Sequence, residues 1–514
     1  MPRPAGPRPE AVVPRSLAEV AARLGVPAAG AEAGRGSVTG IALDSRAVRP
    51  GDLYAALPGA RTHGADYAGE AANAGASAAL TDPAGAARVA AAGLPAYIVP
   101  APRARLGELA AWLYGDPSAQ LVTVGITGTN GKTTTAYLVE AGLRQVGHVT
   151  GLLGTIETRI GADARPSIRT TPEAPDLQAL LAVMCERGVS AVVMEVSSHA
   201  LALGRVDGTV FDVAAFTNLS QDHLDFHGTL ADYYAAKASL FAPARARRGV
   251  IDVDDPYGAR LAREASVPVQ TVSTAMRGET DWWIDGLEAS RGGGHAFTLH
   301  GPDGIELRGG VRLPGLFNVA NAAVALAALA AVDADLTLTV PAVAALNIPG
   351  RMEEVHPAGT AAAGVLAVVD YAHTPDAVEA ALHALRSATR GRLICVLGCG
   401  GDRDRAKRPL MGQVAARCAD RLLVTDDNPR SEDPATIRAA MLEGARTVPA
   451  AERAEVLEVP GRAAAIAIAV KDAHPGDTVL VAGKGHETGQ EIAGVVHDFD
   501  DRSELRRTLD AVIA

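Results

Sequence analysis

Cysteine is scarce in this 514-residue chain: there are four, Cys185, Cys395, Cys399 and Cys418. None sits at a paired zinc-ligand spacing, and four are too few for a disulfide framework. A zinc scaffold and an oxidised secreted fold are therefore not expected, and the cysteines fit a reduced, cytoplasmic setting. Aromatic residues are also few, 4 % against 48 % hydrophobic residues, so the cores must be built from Ala, Val and Leu. There is no excess of positive charge. The net charge of −11 argues against nucleic acid as the main partner, while local basic pockets remain open to anionic substrates. No apolar run can span a bilayer: the longest, residues 319–332, is Ala-rich, contains Asn321 and reads as a buried helix, so no membrane insertion is expected. Residues 1–14 are rich in Pro and Arg without an apolar segment, which predicts a disordered tail rather than an export signal. Neither a solenoid repeat nor a His-Glu-x-x-His pattern is present.

What is there falls into three blocks, as the length predicts at about 100–200 residues per domain. Residues 15–117 alternate short apolar runs with Gly/Ala helices, a small α/β unit, and Pro117-Ser118 mark a linker. Residues 118–348 carry strand patterns at 121–126, 191–196, 210–216 and 249–253 between helical ones, the signature of a parallel sheet with crossover helices. Within them, 282–313 suggests a small antiparallel patch. After a second linker, Asn347 to Arg351, the α/β pattern restarts in 349–514 with strands near 365–369, 392–397, 421–425 and 478–482. The motifs fall at strand ends or helix starts, where open α/β sheets bind ligands.

The most informative motif is Thr127-Gly128-Thr129-Asn130-Gly131-Lys132-Thr133 after the apolar run ending at Ile126. Gly128 and Gly131 let backbone amides approach polyphosphate, Lys132 supplies a charge, Thr133 a hydroxyl for Mg2+, and the next helix points its N-terminus at the anion. The loop departs from the common pattern in having Ile126 where a first glycine is usual. These features predict ATP as co-substrate. Mg2+ prefers octahedral oxygen ligands, and Glu195, closing the apolar strand Val192-Val193-Met194, is the candidate second ligand. The run Asn218 to Gly228 packs Asp222, His223, Asp225 and His227 closely, and His223 is expected at Mg2+. Lys237, read alone, is an exposed lysine on an amphipathic helix.

Gly-Thr-Asn-Gly-Lys-Thr at 128–133, Phe-Thr-Asn-Leu with Asp-His-Leu-Asp at 216–225, and Tyr-x-x-Ala-Lys-x-x-Leu-Phe at 233–241 together resemble the Mur ligase family of amide-forming enzymes. The resemblance runs over nearly the whole chain beyond the tail. It implies an α/β protein in which a P-loop parallel-sheet ATPase domain is flanked by an N-terminal UDP-binding α/β domain and a C-terminal Rossmann-like domain. It implies two Mg2+ ions and a CO2-derived carbamate on Lys237, which turns a cation into a metal-binding anion beside Lys132, Glu195 and His223. Ser45 in Leu43-Asp44-Ser45-Arg46, with Thr170, Thr171, Ser197 and Arg205, is implied to bind UDP-N-acetylmuramoyl-L-alanyl-D-glutamate. Arg169 and Leu203 depart from residues some members carry there, an asparagine and a polar residue. Asn318, Asn321, Arg351, Asp370 and His373 look like nucleotide contacts.

In the last block, Asp427-Asn428-Pro429-Arg430 resembles members that add diaminopimelate, and lysine-adding relatives lack the arginine. Diaminopimelate differs from lysine by a distal carboxylate, so its site needs an added cation. Arg430 and Arg403 would supply it, since a guanidinium holds a carboxylate with two parallel bonds. Asn428 adds amide donors, and Glu487 in the loop from Gly483 would hold the distal ammonium. The expectation is an ATP-dependent ligase of peptidoglycan precursor synthesis, monomeric and cytoplasmic, that joins diaminopimelate through an acyl phosphate. A lysine-adding ligase, a folylpolyglutamate synthetase and a non-catalytic nucleotide switch are the alternatives.

Overall fold

The computed structural model describes residues 6–29, 36–59, 61–290, 293–357 and 364–513. Three large sheets follow one another along the chain, and two further pairs of strands stand apart from them. The first has five strands in the order Ala28–Ala29, Ala96–Ile98, Ala78–Thr81, Asp52–Ala56, Gly40–Ala42, parallel except at its first edge. Its alanines at 55, 56, 78 and 79 are fully buried, so helices pack close to the sheet with little aromatic bulk.

The central sheet has eleven strands. Seven of them, from Thr150–Leu153 through Ala191–Glu195, Val122–Thr127, Phe211–Phe216, Ala246–Asp252 and Val269–Ser273 to Trp282–Ala289, are parallel. Antiparallel strands extend both edges. The segment expected as a separate antiparallel patch therefore continues the main sheet: Trp282 pairs in parallel with Val272, and only the strands beyond it reverse. Helices Lys132–Gln145, Leu316–Ala331 and Leu336–Ala345 cover one face, Ala174–Glu186 and Leu230–Ala238 the other. Leu316–Ala331 is the buried helix read from 319–332.

The third sheet has six strands ordered Glu353–Glu354, Leu366–Asp370, Thr478–Ala482, Leu393–Leu397, Arg421–Val424, Glu455–Glu458, all parallel but the first. Val122–Thr127 lies between Ala191–Glu195 and Phe211–Phe216, so the carboxyl ends of all three central strands open beside the phosphate loop. Among the described residues no helix is long and apolar enough to cross a membrane.

One expectation is corrected here. Composition predicts a disordered tail over residues 1–14, yet residues 6–12 lie against the first two domains. Arg8 pairs with Asp52 at 3.1 Å, and Val12 packs on Tyr114, Ala179 and Ala182. Residues 1–5 lie outside the described residues. Composition missed the segment because its partners are distant in sequence.

Candidate active site

The phosphate loop turns through two left-handed glycines, Gly128 (φ 150°) and Gly131 (φ 85°), the latter opening helix Lys132–Gln145. A Cβ at Gly128 would stand 2.0 Å from Thr217 Oγ1, and one at Gly131 2.2 Å from Asn321 Oδ1. Both turns thus need glycine for conformation and for space. Asn130 N donates to Asn218 Oδ1 (2.9 Å), and Thr129 Oγ1 shares a hydrogen bond with the Tyr233 hydroxyl (3.1 Å). Lys132 Nζ folds over the loop to the carbonyls of Gly128 and Thr129, both at 2.8 Å. Thr127 is buried, and its hydroxyl has no partner among the described residues.

Glu195 is buried at the end of its strand and gathers the neighbouring donors. Its Oε2 accepts from Thr133 Oγ1 (2.9 Å) and Thr155 Oγ1 (3.1 Å), and its Oε1 from Thr155 N (2.7 Å). Thr133 also accepts a bond from Arg351 at 3.1 Å, which brings the start of the third block to the phosphate loop. A hydroxyl and a carboxylate converging here are hard oxygen donors suited to Mg2+.

Lys237 is 1 % exposed, not on the solvent face that its helix pattern suggested. The helix Leu230–Ala238 turns it inward, where Nζ donates to Gly128 O (2.6 Å) and sits over the Tyr233 ring (4.6 Å). Burial, and then the charge of Lys132, push its ammonium far below the ordinary lysine range. A neutral amine is the nucleophile that CO2 requires. A carbamate would keep one N–H for Gly128 O, so the pocket fits the modification. His223, at a left-handed backbone position (φ 54°), is 46 % exposed, and its ring lies 4.8 Å from that of His199. Burial against its neighbours lowers its basicity, opposed by Asp222, which favours the neutral, metal-binding imidazole.

Thr170 and Thr171 join this centre to the next cleft. Thr170 Oγ1 is 3.1 Å from Thr155 Oγ1, and Thr171 Oγ1 donates to Glu195 O (2.8 Å) and accepts from Ser197 N (3.1 Å). Arg205 binds Glu173 at 2.9 Å, and Glu173 also faces Arg103 and Arg169. Beside them a cleft of about 460 Å³ opens between the first two domains, lined by Arg8, Asp44, Ala47, Arg165, Arg169 and Glu173 among others. Ser45 is buried just behind Asp44 and donates to Glu70 Oε2 at 2.6 Å.

A second cleft, about 540 Å³, lies between the central and third domains, with Thr155, Arg165 and Pro166 on one wall and Asn428, His486, Glu487 and Glu491 on the other. Arg165 and Pro166 line both clefts. Asn428 Nδ2 donates to Glu487 Oε2 (2.7 Å), and the fully buried Lys484 donates to Asn428 Oδ1 (3.1 Å), Glu487 Oε2 (3.0 Å) and Gly489 O (2.7 Å). Asp427 accepts from Asn428 N, and a Cβ at Gly483 (φ 114°) would come 2.7 Å from Asp427 Oδ2. Pro429 O would meet a Cβ at Gly401. Arg430 (φ 52°) donates to Gly401 O at 2.7 Å and lies 3.4 Å from Glu491; Arg403 is exposed, and both arginines flank Gly400.

The nucleotide candidates cluster at the same junction. Asn321 Nδ2 bonds Asn318 Oδ1 at 3.1 Å, and Arg351 stacks on Tyr371 at 4.4 Å. Asp370 accepts from Met352 N and Ala372 N, and burial pushes its carboxyl above the usual carboxylate range despite Arg351. Burial and Lys407 hold His373 down to about 4, so its ring is neutral near pH 7. The sequence gives no role to Thr155 or Lys484, and Tyr233 enters only as the first residue of the motif at 233–241. Lys484 stood inside a motif already singled out, but a lysine in a glycine-rich loop reads as solvated. Thr155 had no signal beyond following an unrecognised strand.

Three family models match consecutive parts of the chain: Mur ligase family, catalytic domain over residues 37–114, Mur ligase middle domain over 126–329, and Mur ligase, glutamate ligase domain over 350–485. The UDP-N-acetylmuramoyl-L-alanyl-D-glutamate–2,6-diaminopimelate ligase of Streptomyces coelicolor is 58 % identical over 507 residues, covering 98 % of each chain. Its counterpart in Corynebacterium glutamicum is 50 % identical over 484 residues, 93 % of this chain and 92 % of that one. A solved structure of a ligase of the same name is 35 % identical with a TM-score of 0.67, covering 94 % of this chain and 96 % of that one. Likeness of that extent spans all three domains, and the chain belongs to the Mur ligase family.

Proposed function

We propose that this chain is an ATP-dependent ligase that adds 2,6-diaminopimelate to the D-glutamyl side-chain carboxylate of UDP-N-acetylmuramoyl-L-alanyl-D-glutamate, a step of peptidoglycan precursor synthesis. It acts as a monomer in the cytoplasm, in keeping with four unpaired cysteines. The observation that carries the choice of amino acid is the polar wall at 427–430 and 483–487, where Arg430 stands beside Arg403 and Asn428 is locked to Glu487.

Gly128 to Thr133 hold the ATP phosphates through backbone amides and Lys132. One Mg2+ would be held by Thr133 and Glu195, a second by carbamylated Lys237 and His223; bound there, the ions neutralise phosphoryl oxygens. Ser45, Thr170, Thr171, Ser197 and Arg205 are assigned to the uridine substrate, orienting the D-glutamyl carboxylate towards the phosphate loop. A carboxylate oxygen attacks the γ-phosphorus and ADP leaves, giving an acyl phosphate. The neutral amine of diaminopimelate then attacks the acyl carbon, phosphate leaves with the bonding electrons, and the nitrogen loses a proton. Asn318, Arg351, Asp370 and His373 position the nucleotide, and the third domain delivers the amine. Positioning and charge neutralisation supply most of the acceleration.

ATP-dependent amide formation with meso- and LL-diaminopimelate and with L-lysine tests the assignment. Turnover of diaminopimelate over lysine by on the order of 10⁴ is expected, because a site built for a carboxylate leaves charges unpaired with lysine. Arg430→Ala should raise the KM for diaminopimelate far more than that for ATP. Equal turnover of lysine by the unaltered chain would sink the choice of amino acid.

A further inference from the structure

The segment 6–12 enters the 460 Å³ cleft with residues 6–8 and is fastened at both ends, once to each domain. At the first domain the Arg8 guanidinium forms two parallel bonds to Asp52, Nη1 to Oδ1 at 3.1 Å and Nη2 to Oδ2 at 3.2 Å, and Nη1 also reaches the Tyr114 hydroxyl at 3.1 Å. Asp52 is buried and Arg8 mostly so, 3 % and 11 % exposed. The pair is also built into the sheet: a Cβ at Gly40 would fall 2.3 Å from Arg8 Nη1 and 2.2 Å from Asp52 Oδ1, so glycine is required beside it. Gly6 O accepts from Arg49. At the central domain, the amides of Glu10 and Ala11 donate to the two carboxylate oxygens of Glu186 at 3.0 and 2.8 Å, at the end of helix Ala174–Glu186. Val12 fills the gap between Tyr114 of one domain and Ala179 and Ala182 of the other.

At the first-domain anchor Gly6, Pro7 and Arg8 line the cleft, whose lining also includes Arg169 and Glu173. We infer that residues 6–8 form a wall of the cleft for the uridine-diphosphate muramoyl substrate, strapped to the central domain through residues 10–12, with Arg8 a positioning residue that fixes the angle between the first two domains around that substrate. The inference rests on the proposed function. An exposed ion pair would hold such a segment weakly, whereas a desolvated two-pronged pair with a third acceptor holds it in one geometry. Neither the phosphate loop nor the second cleft touches the segment, so its effect is confined to one substrate.

The test uses the full-length chain. Glu186→Ala unfastens the central end at an exposed position, and the double variant Arg8→Ala with Asp52→Asn unfastens the other without leaving a buried charge unpaired. The dissociation constant of UDP-N-acetylmuramoyl-L-alanyl-D-glutamate is measured by calorimetry without ATP, alongside the KM values of all three substrates and kcat. Both variants should weaken binding of the muramoyl substrate by about tenfold, or roughly 1.4 kcal/mol, and raise its KM in parallel. The KM values of ATP and diaminopimelate should stay within about twofold. Unchanged muramoyl binding in both variants, or an equal rise in all three KM values, overturns the inference. If the unaltered chain fails to bind the muramoyl substrate, the proposed function falls and takes the inference with it; binding by the unaltered chain that the variants leave intact overturns the inference alone.

Discussion

At the scale of single residues, the chemistry turns on groups whose charge is set by burial. Lys237 is the clearest case, because it is buried against Gly128 O with Lys132 nearby, and both effects disfavour its ammonium. Its lowered basicity leaves more free amine at neutral pH to take up CO2. Lys237→Ala should therefore lower kcat by at least about 10³-fold, with acetate in the assay restoring part of it by standing in for the carbamate. A variant of near-normal activity would remove the second metal from the mechanism. The special place of this residue was not legible in physical terms from the sequence. Tyr233, Ala236 and Lys237 lie on a helix with no polar partner nearby in the chain, and the lysine is turned inward by a loop more than a hundred residues away. Resemblance to a family singled it out where periodicity pointed the other way. Glu195 and Thr133 were legible, because a carboxylate ending an apolar strand and a hydroxyl opening a helix are each defined locally. Their 2.9 Å contact needed only that the two strands be neighbours.

At the scale of elements, the parallel strands were legible wherever an apolar run ended in a polar loop, and missed where the run was short or mixed. Thr150–Leu153, Val269–Ser273 and Glu455–Glu458 carry too few apolar residues to stand out, and pairing with neighbours decides them. The loop that presents Lys484 and Glu487 depends on such a tertiary tie. It leaves the sheet at Ala482, whose carbonyl accepts from Arg462 at 2.8 Å, and Arg462 is itself held by Asp501 through bonds of 2.6 and 2.7 Å with both side chains fully buried. Helix Asp501–Ile513 thus anchors, from behind, the wall proposed to hold the amino acid. Asp501→Ala leaves the guanidinium buried and unpaired, which costs about 3–5 kcal/mol. Thermal unfolding should show a low-temperature transition for the third domain. The KM for diaminopimelate should rise at temperatures where that domain is still folded. An unchanged unfolding profile would show that the ion pair does not hold this wall.

At the scale of the whole molecule, Arg165 and Pro166, at the open end of the hairpin 157–166, line both clefts, so under the proposed function the muramoyl peptide and the incoming amine would approach one another there. The third domain is tied to the phosphate loop by the short segment after helix Leu336–Ala345. There a Cβ at Gly350 would lie 2.1 Å from His486 N, and Arg351 reaches across to Thr133 while stacking on Tyr371. Thr133 is the same hydroxyl proposed to face Mg2+. Nucleotide arriving with its ion would compete for that hydroxyl and offer Arg351 a phosphate in exchange, so occupancy of the loop would be felt directly where the third domain, proposed to carry the amine, begins. Arg351→Ala should then do more than weaken ATP binding by about tenfold. It should also uncouple nucleotide from domain closure. Small-angle scattering of the unaltered chain should show compaction on adding a non-hydrolysable ATP analogue with Mg2+. The variant, at analogue concentrations that saturate it, should show none. Compaction of equal size in the saturated variant would mean that closure is driven from elsewhere in the cleft and that Arg351 serves the nucleotide alone.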